Sequence, residues 1–213
     1  MAKTAIYKLI DVSHNNGVID FEKVKAAGID GVIIRDDYGI KSSKQIDRQW
    51  ENNYTKAKAA GLLVGAYHYS YATTGAGAKN EAAFMLEQLK GKSFELPIYY
   101  DIEEKKQAAL SKSLCTQMVQ AFCNTLENAG AWAGVYSYDS FFASNLDSSI
   151  PSRYATWVAR VENVFPTSVD ESLVAMWQYL WKGAVNGVSG DVDLNYCYKD
   201  YPKLIEKVGL NRF

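Results

Sequence analysis

The sequence has few of the side chains that bind transition metals or form disulfides. Its 213 residues include two histidines and three cysteines, and Cys115, Cys123 and Cys197 do not follow the spacing of a zinc site. An odd number of cysteines does not suit a disulfide framework, so we expect reduced thiols in the core. A glycine-rich phosphate-binding loop is also missing. The sequence therefore predicts neither a metal nor a cofactor.

The net charge of the chain is also small. Lysine and arginine total 23 against 24 aspartates and glutamates, a net charge of −1, and no basic block indicates nucleic acid or an anionic membrane as partner. No apolar run approaches a membrane span, and the N-terminal Met-Ala-Lys-Thr-Ala-Ile-Tyr lacks the layout of a signal peptide. We expect synthesis in the cytoplasm without a Sec-type signal, and no membrane insertion.

Aromatic residues, by contrast, are plentiful. They make up 13% of the chain, with fifteen tyrosines and five tryptophans. A tyrosine-rich core and a cleft for sugars, whose apolar C–H faces stack on rings, are equally compatible with this composition. The hydrophobic fraction of 48% supplies an ordinary globular core. No linker or shift in composition divides the chain, so residues 1–213 are predicted to form one domain.

Strand-like and helix-like segments alternate along the sequence. The predicted strands are 5–12, 29–37, 62–70, 96–103, 131–138, 154–160, 174–180 and 192–196. The predicted helices are 21–27, 43–60, 73–89, 111–129 and 201–208, the first, second and fourth ending at Gly28, Gly61 and Gly130. Such alternation predicts a parallel sheet with right-handed crossovers. About eight strands favour closure into a single irregular, TIM-like (β/α) barrel with reduced helices in its C-terminal part.

Residues 96–104, Leu-Pro-Ile-Tyr-Tyr-Asp-Ile-Glu-Glu, indicate a buried strand that ends in acid. Residues two apart on a strand point the same way, so Tyr99, Asp101 and Glu103 are predicted to share one face. Paired carboxylates are the working groups of glycosidases, because one holds a proton while the other stays charged. An isolated Asp-x-Glu is also typical of a strand cap or the start of a loop. Other parts of the chain are therefore needed to distinguish a catalytic pair from these structural roles.

In β/α barrels the functional residues lie at the C-terminal ends of the strands. The predicted ends carry Asp11, Arg35 with Asp36, Tyr67 to Tyr69, Asp101 with Glu103, Tyr136, Trp157, Trp177 with Gln178, and Asp193. This set offers no nucleophilic serine or cysteine with a histidine partner. Acids that converge on one mouth raise each other's pKa, which is how a glutamic acid stays protonated near neutral pH. The pattern indicates a glycosidase-type site.

Several motifs at these strand ends occur together in a known order. They are Asp11-Val-Ser-His, Ile33-Ile-Arg35, Gly65-Ala-Tyr67-His-Tyr, Tyr100-Asp-Ile-Glu103, Trp157-Val-Ala-Arg, Trp177-Gln-Tyr and Gly190-Asp-Val-Asp193-Leu-Asn. Over nearly the whole chain they resemble glycoside hydrolase family 25, the Chalaropsis-type muramidases of bacterial autolysins and phage endolysins. The resemblance implies an irregular β/α barrel that cleaves the β-1,4 bond between N-acetylmuramic acid and N-acetylglucosamine in bacterial peptidoglycan.

The same resemblance assigns roles to individual residues. Glu103 would be the general acid, and Asp101 would stabilise positive charge or orient the substrate's acetamido group. Asp11 and Asp193 would be supporting acids that set the ionisation and position of this pair. The substrate-binding residues would be Arg35, Tyr67, Tyr136, Trp157 and Gln178, although Gln178 is equally typical of a buried polar cross-link.

Other positions carry weaker expectations. Asp36 and Asp37 stand where the family usually has small or polar residues, which affects one wall of the predicted cleft. His68 alternates away from the neighbouring tyrosines and is predicted to be a core histidine rather than a base. Trp50, Trp132 and Trp181 are assigned only to packing or surface. The catalytic domain is expected to end near residue 213, without the separate wall-binding repeats of many relatives.

Two alternatives stay open at this stage. A chitinase-like hydrolase is disfavoured because such enzymes carry a further aspartate where this chain has Tyr99. A non-catalytic sugar-binding barrel is disfavoured because Glu103 and its neighbours are retained. A retaining endo-muramidase remains the leading interpretation. An endolysin is the favoured type, because cell lysis or a holin would carry a protein without a signal peptide to the cell wall.

Overall fold

The computed structural model describes residues 3–39, 43–161 and 164–213. These residues form a closed barrel in which eight strands follow one another in chain order. The strands are Tyr7–Val12 (β1), Gly31–Tyr38 (β2), Leu63–Tyr69 (β3), Ile98–Asp101 (β4), Ala133–Tyr138 (β5), Ala155–Ala159 (β6), Met176–Gly183 (β7) and Val192–Cys197 (β8). The predicted irregular (β/α) barrel is confirmed.

Helices cover the outside of the barrel. They are Phe21–Ala26 (α1), Trp50–Ala59 (α2), Gly75–Leu89 (α3), Lys105–Ala108 (α4), Lys112–Asn128 (α5), Asp139–Asn145 (α6), Ser149–Arg153 (α7) and Tyr201–Val208 (α8). The side chains of Asp20, Thr74, Ser111 and Asp200 cap α1, α3, α5 and α8 by accepting backbone N–H groups of the first turn. At the predicted stops, Gly61 and Gly130 have φ of +70° and +88°, which glycine adopts without steric cost. Short-range signals thus placed the two longest helices, α3 and α5, within two residues of their predicted bounds.

The predicted wholly parallel sheet is wrong at one strand. β8 runs antiparallel to both β1 and β7. Residues 184–191, all of them described, connect β7 to β8 without a helix, and a parallel strand would need a long crossover there. Reversal brings the start of β8, rather than its end, to the mouth of the barrel. Asp193 therefore reaches the mouth from the first part of its strand, not from a C-terminal end as predicted.

The segment predicted as one helix over 43–60 is also broken. A 3₁₀ turn occupies Ser43–Gln45, and α2 begins only at Trp50. Between them Ile46 forms a β-bridge with Asp37, and the Asp47 amide donates to the carbonyl of Asp36. Pairing with β2 therefore overrides the local helical pattern. It places Asp47 beside the barrel mouth, where it becomes a partner of Arg35.

Alternation along the strands divides the core into two layers. Ile33 and Tyr99 lie inside the barrel, whereas Ile34 and Tyr100 face the helices. Tyr100 stacks on Phe122 of α5 with ring centroids 4.2 Å apart. Cys115, Cys123 and Cys197 are buried free thiols, which confirms the prediction for the cysteines. None of the helices in the described ranges combines the length and the apolarity that a membrane span requires.

Asp36, Asp37 and His68 form a buried ionic cluster with Glu81 of α3. A register shift between Arg35 and Asp37 interrupts the β2–β3 pairing, and neither aspartate lines the cleft at the barrel mouth. His68 is 0% exposed, its Nδ1–H donates to Asp37, and its Nε2 lies 3.5 Å from Glu81. The two acids thus do not alter a cleft wall as expected, whereas His68 is a core histidine as predicted.

We expect replacement of His68 with leucine to lower the free energy of unfolding by about 3–5 kcal/mol, the scale of a buried ion pair that has lost one partner. Burial disfavours the His68 cation, but the charges and hydrogen bonds of Asp37 and Glu81 together outweigh it and raise the pKa to about 9. Urea unfolding at pH 7 measures the loss. An Asp37→Asn/His68→Leu variant should lose less than the two single variants together, because their side chains interact.

The pH dependence of that difference has a defined sign. The folded pKa of about 9 lies above the ordinary value of 6.5, so the folded protein binds this proton more tightly than the unfolded chain. The contribution of His68 is complete below about pH 6.5 and is lost as the pH rises through about 9. An unfolding difference between the native protein and His68→Leu that is constant from pH 6 to 10 would contradict a charged His68.

Candidate active site

A cleft of about 280 Å³ opens at the mouth of the barrel. Every residue that was predicted for the site lines it: Asp11, Arg35, Tyr67, Asp101, Glu103, Tyr136, Trp157, Gln178 and Asp193. A larger groove of about 490 Å³, which Trp132 and Tyr201 help to line, lies at the opposite end of the barrel. The larger groove contains none of the predicted residues, so the chemistry of the side chains, not cavity size, identifies the candidate site.

The Asp101–Glu103 pair lies at the centre of the cleft. β4 ends at Asp101, so the prediction that the strand continues through Glu103 is wrong. The extended path nevertheless persists for one more residue, because the Ile102 amide donates to the carbonyl of Tyr136 and the Ile102 carbonyl accepts from the Ser137 hydroxyl. Glu103 therefore still projects into the cleft beside Asp101. In the described structure, Asp101 Oδ1 and Glu103 Oε2 are buried without a hydrogen-bond partner.

Burial dominates the electrostatics of this pair. Loss of hydration, reinforced by the negative charges of Asp11 and Glu104, raises the pKa of Glu103 to about 7, although a hydrogen bond with Tyr138 opposes the rise. Burial also raises the pKa of Asp101 well above its usual range, with further increases from Glu103 and Asp11. Both groups shift in the direction that keeps a proton on the pair near neutral pH.

A second carboxyl pair, Asp11 and Asp193, lies beside the first. The two residues are register partners on the antiparallel strands β1 and β8. Asp11 Oδ2 accepts from Gln178 Nε2 at 2.9 Å and from Asn195 Nδ2 at 2.8 Å. Burial raises the pKa of Asp11 to about 6, and burial together with the Asp11 charge raises that of Asp193 to about 8. Asp11 is thus the more readily ionised member.

Arg35 is held at the edge of the cleft by two neighbours. Its Nε donates to Asp47 Oδ2 at 3.0 Å, and its Nη2 lies 2.9 Å from the same oxygen. The Nη2 group also lies 2.5 Å from His14 Nδ1, and the His14 amide donates to Asp47. Because Asp47 is buried, it fixes the guanidinium beside the acids, and Arg35 lowers the pKa of Asp101 in opposition to its burial.

Trp157 and Gln178 lie beneath the cleft rather than on its walls. Trp157 is 1% exposed, packs between Tyr99 and Tyr136 at centroid distances of 5.2 and 4.4 Å, and donates from Nε1 to Asn195. Gln178 is 2% exposed, and its Oε1 accepts from the Tyr136 hydroxyl at 2.9 Å. These contacts favour a buried polar cross-link, rather than substrate binding, as the role of Gln178. Trp157 forms the floor of the site.

Tyr69, Tyr138 and Asn195 contact acidic side chains at the barrel mouth but were assigned no role from the sequence. Tyr138 hydrogen-bonds to Glu103, Tyr69 donates to the neighbouring Glu104 at 2.8 Å, and Asn195 donates to Asp11. Each follows a predicted residue by two positions, after Tyr67, Tyr136 and Asp193 respectively. Side chains two apart on a strand share a face, so alternation carried through the strand ends contained the signal that would have found them.

Known proteins resemble this chain in sequence and in fold. The model of the family described as glycosyl hydrolases family 25 matches residues 10–188. The autolytic lysozyme of Clostridium acetobutylicum is 31% identical over 88% of this chain, which spans 55% of that protein's length. The CTP1L endolysin superimposes with a TM-score of 0.79 at 29% identity, over 95% of this chain and 70% of that one. A bacterial lysozyme of Streptomyces coelicolor gives 0.79 at 26% identity, over 92% and 94%.

Proposed function

The chain belongs to glycosyl hydrolases family 25, and from that premise we propose that it is a muramidase. It hydrolyses the β-1,4 bond between N-acetylmuramic acid and N-acetylglucosamine in the peptidoglycan of the bacterial cell wall. The names of its relatives, an autolytic lysozyme and an endolysin, support this substrate class. The observation that carries the proposal is the proton-holding Asp101–Glu103 pair at the centre of the acidic cleft.

Glu103 is the general acid of the proposed reaction. It is the more exposed member of the pair, and its pKa of about 7 leaves it protonated at mildly acidic and neutral pH. Its proton passes to the glycosidic oxygen as the bond to C1 breaks, so the leaving sugar departs as an alcohol. The Tyr138 hydroxyl hydrogen-bonds to the Glu103 carboxyl group and helps to orient it, whereas the Tyr69 hydroxyl donates to the neighbouring Glu104 at 2.8 Å.

Asp101 acts on the other part of the transition state. Positive charge develops at C1 and the ring oxygen as the leaving group departs. Asp101 is 3% exposed, so a negative charge there acts in a poorly hydrated environment where its effect is strong. It either stabilises this positive charge directly or orients the acetamido group for attack on C1. Asp11 and Asp193, with Gln178 and Asn195, hold the acids in position.

The test of the proposed function is chemical identification of the product. The enzyme is incubated with dye-labelled, purified bacterial walls, and released fragments are reduced with borohydride before sugar analysis. Muramidase activity gives dye release and new reduced muramic acid ends. New N-acetylglucosamine ends would instead indicate the other glycosidic bond or a chitinase-like specificity, and no release would contradict the proposal.

We expect kcat/KM for wall lysis to fall as the pH rises through about 7, because the general acid loses its proton there. A Tyr138→Phe variant removes a hydrogen bond that lowers the pKa of Glu103. The pKa should rise, and the alkaline limb should move to higher pH. Initial rates from pH 4 to 10 at constant ionic strength measure the alkaline limb of the native enzyme and that of the variant. An alkaline limb that Tyr138→Phe moves to lower pH would contradict the assigned proton.

A further inference from the structure

The end of β7 presents an exposed tryptophan at the barrel mouth. Met176 to Gln178 are buried in the barrel, but Leu180 to Lys182 extend beyond it and are exposed. Trp181 is 44% exposed, and packing or surface was the only role that the sequence indicated for it. Neither the acid pairs nor the cross-link of the proposed mechanism requires an indole at this position.

The Trp181 ring is held in a defined orientation. Its Nε1–H donates to Gln178 Oε1 at 2.8 Å, and Gln178 is itself bonded to Asp11. The hairpin beneath the ring is tight, because a Cβ on Gly183 would lie 2.4 Å from Leu194 Cγ. The polar edge of the indole is therefore occupied, and its apolar surface remains partly open to solvent. A ring already fixed in place loses little conformational entropy when a ligand binds.

Trp181 is also connected to the proposed general acid through one intervening side chain, that of Tyr138. Its ring meets Tyr138 edge-to-face, with centroids 6.1 Å apart and an interplanar angle of 78°. Tyr138 in turn hydrogen-bonds to Glu103. Trp181 thus lies one aromatic ring away from the proposed general acid, on the β5–β7 side of the cleft. Tyr69, at the end of β3, lies on another side of the cleft and donates to Glu104.

We propose that Trp181 and Tyr138 form a stacking platform for one N-acetylated hexose of the glycan, on the β5–β7 side of the scissile bond. The inference rests on the proposed function and specifies where that substrate is bound. A pyranose ring has an apolar C–H face that matches an indole surface, and burying both is favourable. A single anchored ring beside a polar cleft fits a sugar, whereas a protein partner would require a broader apolar surface.

Binding to an inactive enzyme tests the platform directly. In a Glu103→Gln background, a soluble muramic acid–N-acetylglucosamine tetrasaccharide should shift the tryptophan emission. Adding Trp181→Ala should abolish the shift and raise Kd about tenfold, whereas Trp181→Phe should keep most of the affinity because it keeps a ring. Trp132→Phe, at the opposite end of the barrel, is the matched control and should leave Kd and the emission shift unchanged. Circular dichroism checks that every variant is folded.

Kinetics separate stacking from an indirect effect through Gln178. In an otherwise unsubstituted enzyme, Trp181→Ala should raise KM for walls about tenfold with kcat within about threefold, the signature of lost ground-state binding. The pH profile should not move. If Trp181 acted only by orienting Gln178, Trp181→Phe would be as defective as Trp181→Ala and the profile would shift, which would overturn the platform.

The outcomes for the platform and for the proposed function are distinguishable. Normal wall lysis by the unsubstituted enzyme, combined with unchanged Kd and KM in Trp181→Ala, overturns the platform alone. An unsubstituted enzyme that releases no muramic acid ends overturns the proposed function, and the platform falls with it if the tetrasaccharide also fails to bind. Weaker binding in Trp181→Ala with lysis intact in the unsubstituted enzyme supports both.

Discussion

Replacement of Glu103 with glutamine should lower turnover of purified walls by at least about 10²-fold, the scale of lost general acid catalysis. Glutamine preserves the shape of the side chain but has no proton to give to the glycosidic oxygen. KM should change little, because the amide keeps the size of the carboxyl group and its contact with Tyr138. Dye release measured over a range of wall concentrations gives both constants.

The matched control for this substitution is Glu87→Gln. Glu87 is an exposed residue of α3 whose carboxylate pairs with Lys90, the residue that follows the helix, away from the cleft. The same chemical change there should leave turnover within about twofold. Near-normal lysis by a folded Glu103→Gln enzyme would show that Glu103 is not the general acid, whatever effect substitution of the other acids has on turnover.

Replacement of Asp101 with asparagine should lower kcat by about 10²–10³-fold, the cost of removing one preorganised electrostatic group from a transition state. The fold should tolerate this change. Burial raises the pKa of Asp101 well above its usual range, which means that the folded protein disfavours its charged form. A neutral amide of nearly the same size should therefore keep or raise the thermal midpoint, which differential scanning calorimetry measures.

The two possible roles of Asp101 make different predictions with modified substrate. If Asp101 orients the acetamido group, the native enzyme should hydrolyse de-N-acetylated walls slowly, and Asp101→Asn should add little further loss on them. If Asp101 stabilises the positive charge directly, the substitution should cost the same factor on both walls. An Asp101→Asn enzyme with native kcat on both would exclude both roles.

Much of the candidate site followed from local rules of the chain. Tyr99, Asp101 and Glu103 share a direction because a strand alternates, and this survived even though β4 ends at Asp101. The helices predicted over 21–27, 73–89 and 111–129 form near those positions because the side chains of Asp20, Thr74 and Ser111 accept amides within the next turn. Repetition of helix, glycine and strand then indicated a barrel, and strand ends in a barrel meet at one mouth.

Other features depended on contacts that no local rule contains. Asp36 and Asp37 follow Arg35 directly, yet a register shift in β2 and the pairing of Asp37 with His68 place them outside the cleft. The Asp47 region has a helical pattern, yet pairing with β2 breaks it and makes Asp47 a partner of Arg35. In both places burial and pairing with distant residues outweigh local propensity.

Periodicity and chain order were enough to predict the barrel, the glycosidase-type acids and the residues that face the mouth, because these signals involve neighbours along the chain. The coupling between those acids depends on contacts that form only in the folded protein. Reversal of β8 places Asp193 opposite Asp11, Gln178 bonds to Asp11 across 167 positions of sequence, and the same glutamine fixes Trp181. A proton shared between carboxyl groups depends on distance and burial, and the folded chain alone sets both.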